Sequence, residues 1–304
     1  MITHYDLFAG IGGFSLALEE VFENETIKHI FCEWESFPTA VLRKHWPDGE
    51  FYGDIADLVA HTQSAKRQRA GAEQKRQQAG FTDSSPQLTI LTGGFPCQPF
   101  SHAGRRRGTE DHRYQWPNMF AVIRNVKPTW VIAENVRGLV TWNDGLVLEQ
   151  VCSDLESEGY EVQPLVIPAV AVNAPHRRDR VWIIANSTSQ RNGGGGGEER
   201  RTEKRELEPE ERKGSPVRSQ SKGRLRKDWN RDWREVAFAT CHAGMDDGLS
   251  REVDGVPYTY AKWREASIKA YGNAIVPQVA VEIFKAIKES YITIDSNNNS
   301  AYNG

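Results

Sequence analysis

The sequence has no long hydrophobic run. Its most apolar stretches, residues 130–133 and 181–185, are far shorter than the roughly 20 residues that a membrane-spanning helix needs. The N-terminal sequence MITHYDLFAG lacks the charged region and apolar core of a signal peptide. These absences argue against membrane and secreted proteins, so we expect a cytoplasmic protein with no membrane partner.

Cysteine is scarce, and its spacing argues against two kinds of site. No two cysteines form a C-x-x-C pair, and none shares a zinc-like spacing with histidine, so neither a disulfide framework nor a metal site is predicted. With 304 residues, the chain is long enough for one large domain, alone or with a small second one. The four cysteines, expected to be reduced thiols, are Cys32, Cys97, Cys152 and Cys241.

The net charge is only −3, but it is unevenly distributed. Residues 191–234 carry 14 Lys and Arg against 9 Asp and Glu, and residues 61–80 carry 5 against 1. Basic segments on an acidic body suit a protein that binds a polyanion. A merely solvated surface segment fits the same charge pattern, so charge alone leaves both interpretations open.

Short apolar runs alternate with longer helix-like stretches, as in a parallel α/β sheet. The clearest helix is predicted over residues 276–290, where apolar residues recur at helical spacing. Further helices are predicted at residues 13–21, 38–46, 118–125 and 145–158. Strands are predicted at residues 5–8, 27–32, 88–92, 130–133, 161–167 and 181–185, with one more ending near Tyr52.

Two segments interrupt this alternation. Residues 61–86 are rich in Gln, Arg and Ala, which fits either a surface helix or a loose segment. Residues 187–228 contain five consecutive glycines and almost no large apolar residues. Such a segment cannot bury enough surface to offset the entropy lost on ordering, so we expect it to be disordered for the most part.

A glycine-rich turn follows the first strand, in the sequence DLFAGIGGF at residues 6–14. Gly10, Gly12 and Gly13 allow the backbone to approach a ligand closely, and the next helix offers free N–H groups at its start. A glycine-rich turn is a weak signal by itself, and the third glycine of the dinucleotide fingerprint is missing.

Acidic residues at the next two strand ends strengthen that signal. Glu33 lies at the distance from the glycines at which an acidic residue binds ribose hydroxyls, with Trp34 beside it as a surface for a purine ring. Asp54 ends what would be the third strand, where its carboxylate can accept a hydrogen bond from an adenine amino group. Helix capping would explain any one of these residues, but together they indicate a ligand that contains adenosine.

Five motifs make the sequence resemble the DNA cytosine carbon-5 methyltransferases. They are FAGIGGF at 8–14, GGFPCQPFS at 93–101, ENVRGL at 134–139, RRDRVWII at 177–184 and YGNAIVPQ at 271–278, in the order seen in that family. The resemblance implies an α/β fold of the Rossmann-like methyltransferase type, with a mostly parallel sheet, helices on both faces and a small inserted target-recognition region.

The resemblance also implies a division of the chain. Residues 1–186 would form the catalytic and cofactor-binding domain, and residues 187–245 a partly disordered target-recognition region. Residues 246–290 would complete the catalytic domain from the C-terminal side, and residues 291–304 would be a disordered tail.

The catalytic residues that the resemblance implies act on a cytosine flipped out of the duplex. Cys97 would add to carbon-6 of the base, which makes carbon-5 nucleophilic. Glu134 would donate a proton to ring nitrogen 3, which requires a carboxyl with a raised pKa. Asn135 would fix the loop, while Arg178 and Arg180 would contact the cytosine carbonyl and stabilise the thiolate.

The binding residues follow from the same motifs. S-adenosylmethionine is the implied cofactor and double-stranded DNA the implied partner, for a monomer that is either solitary or paired with a restriction endonuclease. His176 departs from the family, which usually has glutamine there. The implied cofactor contacts are Phe8, Gly10, Gly12, Gly13, Phe14, Glu33, Trp34, Asp54, Ile55, Phe95, Pro96 and Asn273. The implied DNA contacts are Gln98, Ser101, Arg105, Arg106, Arg107 and His176.

Two other functions fit parts of this pattern. Transfer-RNA cytosine methyltransferases share the motifs, although the lead-in at residues 93–96 and the long basic insert favour DNA. A catalytically silent nucleic-acid-binding module is the other alternative, against which the intact Cys97, Glu134 and Arg178 argue.

Overall fold

The computed structural model describes residues 1–78, 88–96, 114–188 and 260–301. Within these residues, seven strands form one sheet. The strands are β1 (Ile2–Leu7), β2 (Ile27–Cys32), β3 (Glu50–Tyr52), β4 (Thr89–Gly93), β5 (Trp130–Val136), β6 (Tyr160–Pro168) and β7 (Asp179–Ser187).

The sheet is mostly parallel, with the order β3-β2-β1-β4-β5-β7-β6. The first five strands in this order pair in parallel, whereas β7 runs antiparallel to both β5 and β6. The expected α/β fold of the Rossmann-like type is therefore confirmed. The carboxyl ends of the parallel strands meet at one edge of the sheet, here called the carboxyl edge.

Helices cover both faces of the sheet. They are α1 (Gly13–Val21), α2 (Ser36–His45), α3 (Ile55–Gln78), α4 (Trp116–Val126), α5 (Leu146–Ser157), α6 (Tyr260–Asn273) and α7 (Pro277–Ala301). Short 3₁₀ turns occur at Arg137–Val140, Trp142–Gly145 and Ala169–Val172.

Alternate residues of the central strands pack into different layers, as the two-residue period of a strand requires. On one face, Leu7 of β1 lies in a core cluster with Leu58 of α3 and Met119 of α4. On the other face, Ile2 of β1 packs with Leu18 of α1 and Phe284 of α7. Both faces are thus buried, so the strands read as nearly continuous apolar runs.

The C-terminal helices close the fold over its N-terminal part. In α6, Trp263 and Ala270 pack against Phe37 and Val41 of α2. In α7, Lys288 donates a hydrogen bond of 2.7 Å to the carbonyl of Val21 at the end of α1. Helix α7 therefore packs into the same core as α1 and β1, although it is distant from them in sequence.

Each strand and helix predicted from the sequence is present, with ends that differ by a few residues. Of residues 61–86, those up to Gln78 belong to α3, and residues 79–86 lie outside the described part. Helix α7 continues to Ala301 and so includes residues 291–301, for which a disordered tail was expected. The apolar stripe of α7 extends beyond residue 290, because Tyr291 still packs against the same core cluster.

The expected target-recognition region, residues 187–245, lies largely outside the described residues, which resume at residue 260 after residue 188. Among the described helices, none is both long and apolar enough to cross a membrane.

Candidate active site

The glycine turn, residues 8–13, joins β1 to α1 at the carboxyl edge. Phe8, Gly10 and Gly12 have positive φ angles of 54°, 55° and 84°. A Cβ atom at Gly12 would lie 2.4 Å from Cζ3 of Trp46, and one at Gly13 would lie 2.8 Å from Cγ1 of Ile275. Gly12 and Gly13 are therefore needed because a tryptophan from the N-terminal part and an isoleucine from the C-terminal part press against the turn.

Glu33 connects the glycine turn to the start of α2. Its Oε2 accepts a hydrogen bond of 2.8 Å from the N–H of Gly10, and its Oε1 accepts one of 2.8 Å from the N–H of Glu35. Burial raises the pKa of the Glu33 carboxyl, an effect that these backbone donors oppose. The carboxylate is thus held at the point where β2 ends, beside the turn.

Trp34 and Asp54 extend this side of the edge. The Trp34 side chain is 80% exposed, so its ring is available to a ligand. Oδ1 of Asp54 accepts a hydrogen bond of 2.9 Å from the N–H of Ala56 in the first turn of α3. This capping contact explains Asp54 locally. In the described part of the chain, no donor forms a hydrogen bond with its second oxygen, Oδ2.

Phe14, Ile55 and Asn273, also predicted to contact the cofactor, are placed differently. Phe14 is buried and packs edge-on against Trp182, while Ile55 belongs to the core cluster on the opposite face. Core packing accounts for both side chains. Asn273 is exposed at the end of α6. The structure therefore places the side chains of Glu33, Trp34 and Asp54 at the carboxyl edge. The side chains of Phe14 and Ile55 lie in the core instead.

Glu134 is the central ionisable group at the end of β5. It is 8% exposed, and its Oε1 lies 2.9 Å from Nε of Arg180. Burial raises the pKa of Glu134 to about 7, against the opposing charges of Arg180 and Arg178. The other oxygen, Oε2, faces the end of β4, because a Cβ atom at Gly94 would lie 3.3 Å from it.

Asn135 fixes the segment that follows β4. Its Nδ2 donates a hydrogen bond of 2.9 Å to the carbonyl of Phe95, and its Oδ1 accepts one of 2.9 Å from the N–H of Val136. Phe95 is buried with its ring 5.3 Å from that of Trp116, whereas Pro96 is exposed. The carbonyl of Pro96 accepts a hydrogen bond of 3.3 Å from the N–H of Gln115. The chain is therefore held firmly up to the residue before Cys97.

The two arginines have different partners. Arg180 pairs with Glu134, but Arg178 donates from Nη2 to the carbonyls of Gly272 and Ala274, at 2.8 and 2.5 Å. Arg178 also has a positive φ of 37°, a backbone conformation that residues other than glycine adopt rarely. Arg178 thus ties the start of β7 to the turn between α6 and α7.

Several predicted residues lie outside the described part of the chain: Cys97, Gln98, Ser101, Arg105, Arg106 and Arg107. His176 is described and exposed. In the part of the chain that the structure describes, no group of three or more His, Cys, Asp and Glu residues could hold a metal ion.

Three residues that shape the site were not predicted from the sequence. Trp46 and Ile275 flank the glycine turn, and Gln115 holds Pro96. No motif contains Trp46, whereas Ile275 lies in the YGNAIVPQ motif at 271–278. The tight spacing of Gly12 and Gly13 implies that bulky neighbours lie close by. Their positions depend on packing between segments that are distant in sequence.

The sheet order, the glycine turn and the acidic strand ends define an α/β enzyme of the class that binds an adenosine-containing cofactor at the carboxyl edge. The family of C-5 cytosine-specific DNA methylases matches residues 2–237. The chain therefore belongs to this family. Members of the family are S-adenosylmethionine-dependent methyltransferases.

Individual relatives match about 60% of the chain. The type II methyltransferase M.PspPI of Psychrobacter sp. (strain TA137) is 32% identical over 185 residues, 60% of this chain and 39% of that protein. M.Eco47II of Escherichia coli is 32% identical over 186 residues, again 60% and 39%. The matched region thus spans less than half the length of these relatives. The crystal structure of S. pombe Dnmt2 methyltransferase gives a TM-score of 0.43 at 20% identity, covering 62% of this chain and 51% of that one.

Proposed function

We propose that this chain transfers a methyl group from S-adenosylmethionine to carbon-5 of a flipped-out cytosine in duplex DNA. The observation that carries the proposal is the buried Glu134, held by Arg180 beside the segment that leads into Cys97. A carboxyl with a pKa of about 7 is suited to donate a proton at neutral pH. Family membership and the motif around Cys97 agree with this chemistry.

The residues at the ends of β1, β2 and β3 fit the cofactor. Gly10, where a Cβ would meet nothing within 4 Å, leaves open space for a ligand beside the turn, and Glu33 and Asp54 present carboxylate oxygens to hydroxyl and amino groups. The exposed Trp34 ring offers a stacking surface. When bound there, S-adenosylmethionine supplies the methyl group.

The residues on the other side of the edge act on the base. The Cys97 thiolate adds to carbon-6, forming a carbon–sulfur bond, while Glu134 donates its proton to ring nitrogen 3. Carbon-5 of the resulting enamine is electron-rich and would take the methyl group, with S-adenosylhomocysteine as the leaving group. Loss of the carbon-5 proton to a base then expels the Cys97 thiolate, and return of the nitrogen-3 proton to the Glu134 carboxylate restores the neutral aromatic ring. Arg180 orients Glu134, and Asn135 holds the backbone before Cys97.

The remaining parts of the chain complete this assignment. Residues 187–245 occupy the position of a target-recognition region, and their basic charge suits contacts to phosphate, as does that of Arg105, Arg106 and Arg107. Gln98, Ser101 and His176 would contact the DNA near the base. We further propose a cytoplasmic monomer that acts alone or beside a restriction endonuclease.

A transfer assay tests the proposal. Labelled S-adenosylmethionine is incubated with duplex DNA or with transfer RNA, using the unmodified chain, Cys97→Ser and the control Cys152→Ser on α5. We expect label in DNA for the unmodified chain and the control, and none for Cys97→Ser. DNA with 5-fluorocytosine at the target should also trap a covalent adduct at Cys97, because fluorine blocks the final elimination. Label in transfer RNA alone, or turnover in Cys97→Ser, would contradict the proposal.

A further inference from the structure

A line of buried polar side chains crosses the core between β4 and the glycine turn, on the face of the sheet that carries α1. His4, Asp6, Ser15 and Thr92 are fully buried, and His29 is 6% exposed. Burying so many polar groups is costly unless each has a hydrogen-bond partner. The buried polar network comprises Asp6, Thr92, His4, His29, Glu19 and Trp46 in order of contact, with Ser15 at its side.

The contacts form a continuous chain. Oγ1 of Thr92 lies 3.0 Å from Oδ1 of Asp6 and 2.9 Å from Nε2 of His4. Nδ1 of His4 lies 3.0 Å from Nδ1 of His29. Ser15 donates a hydrogen bond of 2.7 Å to Oδ2 of Asp6 and so fixes the carboxyl to α1.

The chain continues to the support of the glycine turn. Nε2 of His29 lies 3.2 Å from Oε1 of Glu19, and the same oxygen accepts a hydrogen bond of 2.7 Å from Nε1 of Trp46. Trp46 is the residue whose ring presses against Gly12. At the other end, Thr92 lies two residues before Gly94, which faces Glu134. The network therefore joins the two halves of the carboxyl edge.

The donors and acceptors of the network allow two arrangements. With a proton on Asp6, the donors run in one direction: Asp6 donates to Thr92, Thr92 to His4 and His4 to His29. The N–H of His29 Nε2 then faces Oε1 of Glu19 at 3.2 Å, as an attractive contact without an aligned hydrogen bond. Each ring nitrogen has one role, since a neutral imidazole has one donor and one acceptor. Glu19 remains ionised and accepts the hydrogen bond of Trp46.

Loss of the Asp6 proton reverses the direction of these bonds. Thr92 then donates to Asp6, His4 donates from Nε2 to Thr92, and His29 donates from Nδ1 to His4. This leaves the lone pair of His29 Nε2 facing the ionised Glu19, and two acceptors at 3.2 Å repel each other. The same nitrogen is buried and has no aligned hydrogen bond in the structure. The strain of the second arrangement therefore falls on Glu19 and, through it, on Trp46.

We propose that the buried polar network is a positioning device for the cofactor, which holds Trp46 against Gly12 while Asp6 is protonated and loosens this support when Asp6 ionises. This inference rests on the proposed function, because the glycine turn is the proposed contact of S-adenosylmethionine. It adds His4, Asp6, His29, Glu19 and Trp46 as residues that act on cofactor affinity without touching the cofactor.

The groups around Asp6 place this change near neutral pH. Burial raises the pKa of Asp6 to about 7, against hydrogen bonds from Ser15 of α1 and Thr92 of β4. The charge of Glu33 at the end of β2 acts in the same direction as burial. His4 contacts Thr92 through Nε2. His29 is surrounded by Glu19 of α1 and the rings of Phe31 and Trp46. Cofactor affinity should therefore fall as pH rises through about 7.

The predicted decrease in cofactor affinity with rising pH distinguishes ionisation of Asp6 from ionisation of Glu33. Ionisation of Glu33, whose pKa is also raised, would strengthen its contacts to ligand hydroxyls as pH rises. A decrease in affinity therefore cannot come from Glu33. Changes in the charge of the ligand itself are common to every variant of the chain.

Glu19→Gln is the decisive variant, because the amide can donate to His29 or accept from it while its oxygen still accepts from Trp46. Glu19 is 44% exposed, so the substitution does not bury a new polar group. The control Glu23→Gln removes a nearby exposed charge outside the network. The affinity for S-adenosylmethionine is measured by calorimetry at pH 6 and pH 8.5 in the full chain.

We expect the unmodified chain and Glu23→Gln to bind about fivefold or more weakly at pH 8.5, and Glu19→Gln to show a clearly smaller change. The indole N–H resonance of Trp46, assigned with Trp46→Phe, should shift with pH in the protein without cofactor, and Glu19→Gln should abolish that shift. The same pH dependence in Glu19→Gln and in the unmodified chain would overturn the inference. If no variant bound S-adenosylmethionine at any pH, the proposed function would fail. The pH dependence of the indole resonance would then still test whether the hydrogen bonds of the buried polar network reverse direction.

Discussion

The two sides of the carboxyl edge hold their carboxyl groups in different ways. On the side of β1 to β3, Glu33 and Asp54 accept hydrogen bonds from backbone N–H groups of Gly10, Glu35 and Ala56. On the side of β4 to β7, Glu134 is buried and paired with the side chain of Arg180. Backbone donors fix an acceptor in place, whereas burial raises the pKa of Glu134 to about 7, so that its proton can be transferred near neutral pH. The first side is built to bind and the second to transfer a proton.

Glu134→Gln should have the largest effect. The amide keeps the shape of the carboxyl but cannot donate its proton to the base, so the transfer rate should fall on the order of 10²- to 10⁴-fold. Affinity for S-adenosylmethionine should change little, since Glu134 lies on the base side. Single-turnover transfer and calorimetry measure the two quantities, with Glu156→Gln on the exposed face of α5 as the control. Equal losses in rate and cofactor affinity would mean that the two sides are not separate.

The pH dependence of transfer tests the same carboxyl. The pKa of Glu134 is raised to about 7, so its proton is present below that pH and is lost above it. At saturating cofactor, the rate should fall by about tenfold per pH unit well above pH 7. This falling limb should be missing from the profile of Glu134→Gln. A falling limb with the same midpoint in that variant would assign it to another group.

Gly12→Ala should act on the binding side alone. The new Cβ would lie 2.4 Å from the ring of Trp46, at a φ of 84° that costs roughly 1–2 kcal/mol for a side chain. Cofactor affinity should fall about tenfold, with little change in rate at saturating cofactor. Gly71→Ala on α3, where a Cβ meets open space, is the matched control. Equal affinities in the two variants would show that close packing against the turn is unimportant.

Glu33→Ala and Asp54→Ala should give the smallest changes and should rank in that order. Glu33 holds Gly10 in addition to any ligand contact, so its loss should weaken cofactor binding by about 1–3 kcal/mol. Asp54 holds only the exposed first turn of α3, so its loss should cost about 1 kcal/mol. DNA affinity should not change in either variant. Calorimetry that showed unchanged cofactor affinity in both would contradict the placement of the cofactor.

The elements of the sheet could be predicted because each buried strand is a short apolar run. The direction of β7 could not, since an apolar run reads the same in a parallel and an antiparallel strand. Helix α6 was also missed, although Trp263, Ala266 and Ala270 recur at helical spacing and pack on one side. Its other residues are mostly polar, so the apolar pattern is weak.

The candidate site shows a similar limit. Glu134 and Asn135 were predicted as a pair at a strand end, and the raised pKa of Glu134 that a proton donor requires is present. The different partners of Arg178 and Arg180 could not be predicted, because the carbonyls of Gly272 and Ala274 are distant in sequence. The buried polar network was also missed, since His4 and His29 belong to different strands and come together only when β1 pairs with β2.

The contact between Gly13 and Ile275 has a consequence for biosynthesis. The strands are complete once residue 187 has been synthesised, but the cover of the glycine turn comes from residues 263–277. During translation, the contact between Ile275 and the turn can therefore form only after residues 263–277 have left the ribosome. A nascent chain that has folded its sheet still lacks this side of the proposed cofactor site. Separately expressed halves, divided within the insert, would be expected to regain it only by reassociating.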